Sequence, residues 1–116
     1  MLNCNLIKMI TTEQIDLLKD VIVKTMQPEK IYLFGSYANG TANEHSDLDI
    51  LIEVEKTELS SIYRGTEVNM NFKKYSELHF PKDIFIYTTT EVEKFSKNKY
   101  SFLSSILENS KLIYES

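Results

Sequence analysis

Strands and helices alternate along this chain, which predicts an α/β (α+β) domain in which a small mixed sheet is flanked by helices. Short runs of large apolar residues, Ile31 to Phe34, Ile50 to Ile52 and Ile84 to Tyr87, have the length of buried strands. Between them stand stretches whose apolar residues recur three and four positions apart, the spacing of one helix face. The 116 residues are 42% hydrophobic and 26% charged with only three Gly and two Pro, which predicts a single folded domain over residues 1–116. A chain of this length buries roughly 65% of the surface its unfolded form exposes, enough for one core.

Thr11 or Thr12 caps a first helix, with Gln14 placed for a capping box and Ile15, Leu18, Ile22 and Met26 on its apolar face. Pro28 ends it. Four consecutive apolar residues, Ile31 to Phe34, then predict a central strand covered on both sides. At Gly35 the chain turns small and polar, a short helix can begin near Ser36, and Asn39-Gly40 favours a turn. Asp47 to Val54 reads as the second strand, with Glu53 and Glu55 at its solvent-side end.

From Glu58 to about Leu78, Leu59, Ile62, Tyr63, Val68, Phe72, Tyr75 and Leu78 follow a helical period that Gly65 and Asn69-Met70-Asn71 weaken, predicting one bent or interrupted helix. Phe80-Pro81 stops it, and Asp83 to Tyr87 forms a third strand. Thr88-Thr89-Thr90 with Glu91 and Glu93 starts another helix, reaching about Ser96. Ser101 to Asn109 is a further helix, and Lys111 to Tyr114 closes as a strand or extended tail.

Composition narrows the function. Seventeen acidic and 13 basic residues give a net charge of -4, which argues against a large phosphate-backbone footprint and so against nucleic acid as the main partner. No apolar run approaches the roughly 20 residues of a membrane span, and the N-terminal MLNCNLIKMI has neither a basic leader nor a small-residue cleavage site. One cysteine, Cys4, has no partner for an intramolecular disulfide, which suits a reducing, cytoplasmic setting. Neither an internal repeat nor a linker is present, so a partner domain is expected on another chain; homo-oligomers remain allowed.

The stretch Lys30 to Glu53 concentrates the chemistry. Residues two apart on a strand point the same way, so Asp47 and Asp49 project together while Leu48 faces the core. At a separation of about 4 Å and an effective dielectric near 20, two such charges repel by about 4 kcal/mol, a cost that a divalent cation removes. Hard carboxylate oxygens suit magnesium, with manganese as the alternative, and such ions bind through one or two carboxylates plus the phosphates of a substrate. With the third strand beside the second, Asp83 completes the three carboxylates of two-metal phosphoryl transfer, as base or metal ligand. Gly35 lets backbone approach phosphate oxygens and Ser36 adds a hydroxyl donor. A Walker loop is excluded because no Gly-Lys-Ser/Thr follows, and a Gly-x-Gly-x-x-Gly fingerprint does not occur.

Gly35-Ser36, ten intervening residues and Asp47-Leu48-Asp49 resemble the signature of the DNA polymerase β-like nucleotidyltransferases. FGSYANG followed by SDLDILI is especially similar to the minimal nucleotidyltransferases, and the similarity runs on through DIFIYTTTEVEKF to the terminal KLIYE. The resemblance implies a magnesium-dependent transfer of a nucleoside monophosphate, AMP from ATP by family default, with release of pyrophosphate. By position it gives Gly35 and Ser36 to the triphosphate, Asp47 and Asp49 to two magnesium ions, and Asp83 as the third carboxylate. It further implies a partner: many minimal nucleotidyltransferases counteract a HEPN-type ribonuclease toxin by adenylylating a tyrosine, which makes them antitoxins. One departure stands out. Asn39 occupies the place where relatives often carry arginine, leaving phosphate contact weaker or supplied by Arg64, Lys73 or Lys74.

Simpler roles compete at each position. Asp47 and Asp49 can be a solvated strand end, Asp83 an ordinary strand start, Ser36 a helix cap and Gly35 a turn. His45 and His79 read as exposed side chains, Lys94, Lys97, Lys99 and Arg64 as solvated faces, and the aromatic residues mostly as core. Two other functions stay open beside nucleotidyl transfer to a protein: neutralising a partner by binding alone, and adding a nucleotide to an RNA end or a small molecule.

Overall fold

The computed structural model describes residues 9–59 and 63–116. Helix α1 (Thr12–Met26) is followed by β1 (Lys30–Phe34), α2 (Ser36–Asn39), β2 (Leu48–Val54), α3 (Thr66–Phe72), a single 3-10 turn at Ser76–Leu78, β3 (Lys82–Thr88), α4 (Thr89–Ser96), α5 (Phe102–Glu108) and β4 (Lys111–Glu115). Cys4 and Ile62, both weighed in the sequence, lie outside the described residues.

The four strands form one sheet in the order β3-β2-β1-β4. β1 runs antiparallel to β2 and β4, whereas β2 and β3 are parallel. A parallel pair needs a crossover, and the segment carrying α3 supplies it. The sheet is therefore mixed, with helices on both faces. Because side chains alternate along a strand, Leu48, Ile50, Ile52 and Val54 pack with Leu18, Ile22, Val68 and Phe72 on the α1 and α3 face. Leu51 points the other way, against Leu103 and Ile106 of α5.

Local chemistry sets the ends of the elements. Thr11 caps α1: its hydroxyl accepts from the Gln14 amide at 3.1 Å and its own amide donates to the Gln14 side chain at 2.8 Å, the reciprocal bonds of a capping box. Gln27, in a left-handed conformation, closes that helix before Pro28. Thr88 and Glu91 repeat the box at α4, and Ser101 caps α5.

Three expectations are corrected. The predicted helix from Glu58 to Leu78 begins only at Thr66, because Gly65 stands at its cap, and it breaks after Phe72 into the separate 3-10 turn. Leu59 is consequently exposed rather than packed, while Asn69, Met70 and Asn71 form the outward side of α3 instead of a break. Glu53 is not a solvated strand end. It is only 5% exposed, flanked by β1 and β3, and its carboxylate accepts a hydrogen bond from the Thr89 hydroxyl at 3.1 Å. Finally, β1 is fully buried on one face only: Ile31 and Leu33 are covered, but Tyr32 and Phe34 remain half-buried, since α5 shields only part of their side.

Candidate functional site

Gly35, Ser36, Asp47, Asp49 and Asp83 gather at one end of the sheet, where β1 finishes and β2 and β3 begin. Asp49 is the second residue of β2, and its register partner on β3 is Asp83. Its partner on β1 is Phe34, immediately before Gly35. Asp47 precedes the first residue of β2 rather than lying within the strand, and it is exposed. Strand alternation directs Asp49 and Asp83 to the face that carries Leu51 and Phe85, away from the α1 and α3 core, while buried Leu48 points inward as predicted.

These carboxylates feel one another. The Asp49 carboxyl is held above its ordinary value, first by burial, then by the charge of Asp83, then by that of Asp47, and it lies within hydrogen-bonding reach of Asp83. Negative charge thus accumulates around Asp49. Among the described residues, no three His, Cys, Asp or Glu side chains converge closely enough to enclose an ion by themselves. The donor set nonetheless fits magnesium, which takes one or two carboxylates and completes its shell with water and substrate phosphate.

Gly35 joins the turn to this group. Its φ of 73° lies in the region that favours glycine, and a Cβ at this position would run into Oδ2 of Asp49, with Cγ at 3.1 Å. The backbone of the turn therefore rests directly on the Asp49 carboxylate. Ser36 opens α2, its carbonyl accepting from the amides of Gly40 and Thr41 at 3.1 and 3.0 Å. Among the described residues its hydroxyl has no hydrogen-bond partner, which leaves a donor available beside the carboxylates.

Other predicted contributors lie elsewhere. Arg64 is not a solvated face, its side chain being engaged by protein groups. It donates to both carboxylate oxygens of Glu91 at 2.6 and 3.1 Å, to the Ile86 carbonyl at 3.2 Å and to the Leu59 carbonyl at 3.1 Å. Those partners stand toward the far end of β3 from Asp83. Lys73 and Lys74 are exposed past α3, and Lys74 contacts the Asn71 side chain at 3.4 Å. The Asn39 side-chain oxygen Oδ1 accepts from the Thr41 amide and hydroxyl, at 3.1 and 2.6 Å. His45 is exposed, 3.7 Å from Glu44; His79 is exposed and its ring meets the Lys73 carbonyl at 3.1 Å.

Lys82, adjacent to Asp83, points to the opposite face. Its ammonium donates to the Leu78 and Phe80 carbonyls at 2.6 and 2.9 Å and lies over the Phe72 and Phe80 rings, and burial pulls its pKa down. Sequence reading missed this lysine and the Arg64 clamp. In both cases the partners are largely backbone carbonyls, which carry no sequence signal.

Comparison with known proteins agrees with this architecture. Residues 16–116 match the family described as Polymerase beta, Nucleotidyltransferase. The chain belongs to that family. Among solved structures, the chain is similar to an inferred nucleotidyltransferase from Sulfolobus solfataricus, with a TM-score of 0.56 and 20% identity over 88% of this chain and 83% of that one. At that identity the likeness speaks for the fold alone. A search of curated proteins finds no match.

Proposed function

We propose that this chain transfers a nucleoside monophosphate, AMP from ATP, to a hydroxyl acceptor, and that the acceptor is a tyrosine of a HEPN-type toxin which the chain thereby silences as an antitoxin. Membership of the nucleotidyltransferase family supports transfer in general. The observation that carries the reading to these residues is Asp49: it faces Asp83 across the β2–β3 pair and packs against Gly35 on its other side. One side chain thereby links the phosphate-holding turn to the carboxylates.

In this mechanism Gly35 and Ser36 hold the triphosphate through backbone approach and the unpartnered hydroxyl. Asp47, Asp49 and Asp83 would hold magnesium, which when bound neutralises phosphate charge and lowers the pKa of the acceptor hydroxyl. Asp83, exposed on the outermost strand, accepts the hydroxyl proton. The acceptor oxygen forms a bond to the α-phosphorus, the bond from that phosphorus to the β-phosphate bridge breaks, and pyrophosphate leaves with the electron pair.

Neutralisation by binding alone is the second reading. Asn39 favours it, because a neutral side chain whose oxygen is spent on Thr41 stands at that position. Purified chain, magnesium, ATP and the candidate toxin separate the two by intact-protein mass spectrometry. An added AMP that disappears with Asp47→Asn/Asp49→Asn supports transfer. Protection of cells by that double variant without any AMP addition supports binding alone and defeats the first reading.

A further inference from the structure

A cavity of about 270 Å³ lies between the turn after β1 and helix α5. That is below the usual range for a drug-sized ligand and suits one planar ring system. Gly35, the residue resting on Asp49, forms part of its wall. Phe34, Phe102 and Ile106 give it apolar surface, and Asn39, Ser105 and Asn109 give it polar edges. Among the described residues that line it there is neither a cation nor a carboxylate, so it has no charge with which to hold phosphate.

The polar groups have capacity to spare. Asn39 commits its oxygen to Thr41, leaving the amide nitrogen as a donor. The Ser105 hydroxyl donates to the Phe102 carbonyl at 2.6 Å, which leaves its lone pairs as acceptors. Among the described residues the Asn109 side chain has no hydrogen-bond partner, so it offers both a donor and an acceptor. Phe102 is 55% exposed and is fixed by an edge contact with Phe85, the centroids 5.5 Å apart at 62°. An exposed aromatic ring held in place beside free amides fits a flat, uncharged ligand with polar edges.

We infer that this cavity is the nucleobase subsite of the same nucleotide whose phosphates Gly35 and Ser36 hold, with adenine as its base. Phe102 provides the stacking surface and Asn109 the edge recognition. Side-chain amides pair bidentately with adenine, whereas guanine is commonly read by Arg or Lys and the cytosine amino group by Asp or Glu, and the cavity has none of these. The inference rests on the nucleotidyl-transfer reading and assigns base selection to α5, a helix that contributes no catalytic carboxylate.

Calorimetric titration with ATP, GTP, CTP, UTP and inorganic tripolyphosphate, each with magnesium, tests it on the native chain and on Phe102→Ala and Asn109→Ala. Both side chains are exposed, and circular dichroism checks that the variants fold. ATP binds the native chain most tightly; Phe102→Ala weakens ATP about tenfold while tripolyphosphate is unchanged. Asn109→Ala removes most of the preference for ATP over GTP. ATP affinity that neither substitution alters, GTP bound as tightly as ATP, or ATP bound no better than tripolyphosphate overturns the subsite while nucleotidyl transfer stands. A native chain that binds neither ATP nor tripolyphosphate overturns both.

Discussion

Asp49 and Asp83 stand directly opposite each other on the parallel strands β2 and β3, their carboxyls within hydrogen-bonding reach. Parallel pairing brings this about: Leu48 pairs with Lys82, so the second residue of each strand is an aspartate on the same face. The arrangement is costly when both groups are ionised, and that cost is measurable.

Asp49→Asn should stabilise the metal-free chain at neutral pH. The folded-state pKa of Asp49 is raised above 3.8 by burial and by the neighbouring Asp83 and Asp47 charges, so the folded chain binds this proton more tightly than the unfolded one. Its contribution to stability is fully present below pH 3.8 and is lost as the pH rises through the raised value. Asparagine removes that loss, and because the group is partly solvated the gain is small, about 1–2 °C in Tm at pH 7. Below the ordinary carboxylate value the gain vanishes. Thermal scans across pH in chelator check this, and a lower Tm for the variant at pH 7 contradicts it.

Magnesium should reverse the sign of that comparison. A cation bound to the folded chain alone raises stability with the logarithm of one plus its concentration divided by its dissociation constant, so millimolar magnesium lifts the native Tm by about 2–4 °C. Asp47→Asn/Asp49→Asn loses the response. Equal shifts in the native chain and the double variant would place the ion elsewhere.

Replacing Gly35 by alanine should cost about 2–3 kcal/mol, from positive φ and from collision with the Asp49 carboxylate together. Gly40→Ala is the control, because its φ of 84° is equally unfavourable but a Cβ there meets nothing within 4 Å. Urea denaturation should give the smaller loss at Gly40, about 1 kcal/mol. Combining Gly35→Ala with Asp49→Ala recovers part of the difference; a strictly additive double variant would remove the steric explanation.

The grouping of the candidate residues was partly legible because its signals are local. Gly35-Ser36 follows an apolar run and Asp47-Leu48-Asp49 opens another, but period-two alternation places only Asp49 on a face of the sheet, because Asp47 lies just ahead of β2. The caps at Thr11 and Thr88 were equally readable, since a capping box lies within four residues. Asp83 required one further step, that β3 lies beside β2, which the crossover through α3 satisfies. What escaped depends on pairing distant in sequence. Thr89 rescues Glu53 from 36 residues away, and Arg64 meets Glu91 from 27. Phe102 reaches the wall beside Gly35 only because α5 folds back over β1. Periodicity also overstated the middle helix, where Leu59 and Tyr63 keep helical spacing but sit in a loop and a turn ahead of Gly65.

The Arg64–Glu91 pair should be a structural lock whose loss is felt in stability before chemistry. The Arg64 side chain is only 12% exposed, and its hydrogen bonds tie the segment before α3 to the end of β3 and the start of α4. Removing one partner of such a pair strands the other, so Arg64→Ala is expected to cost about 3 kcal/mol. Glu91 is held below its usual pKa, chiefly by its hydrogen bond to Arg64. Its contribution is therefore present above pH 4.5 and lost as the pH falls through the depressed folded-state value. Glu91→Gln should remove this part of the acid limb as well as lowering stability at pH 7. Urea titrations at pH 7 and in acid check both effects. Arg64→Ala at native stability but with weaker ATP binding would instead return Arg64 to a phosphate role, although its partners stand toward the far end of β3 from Asp83.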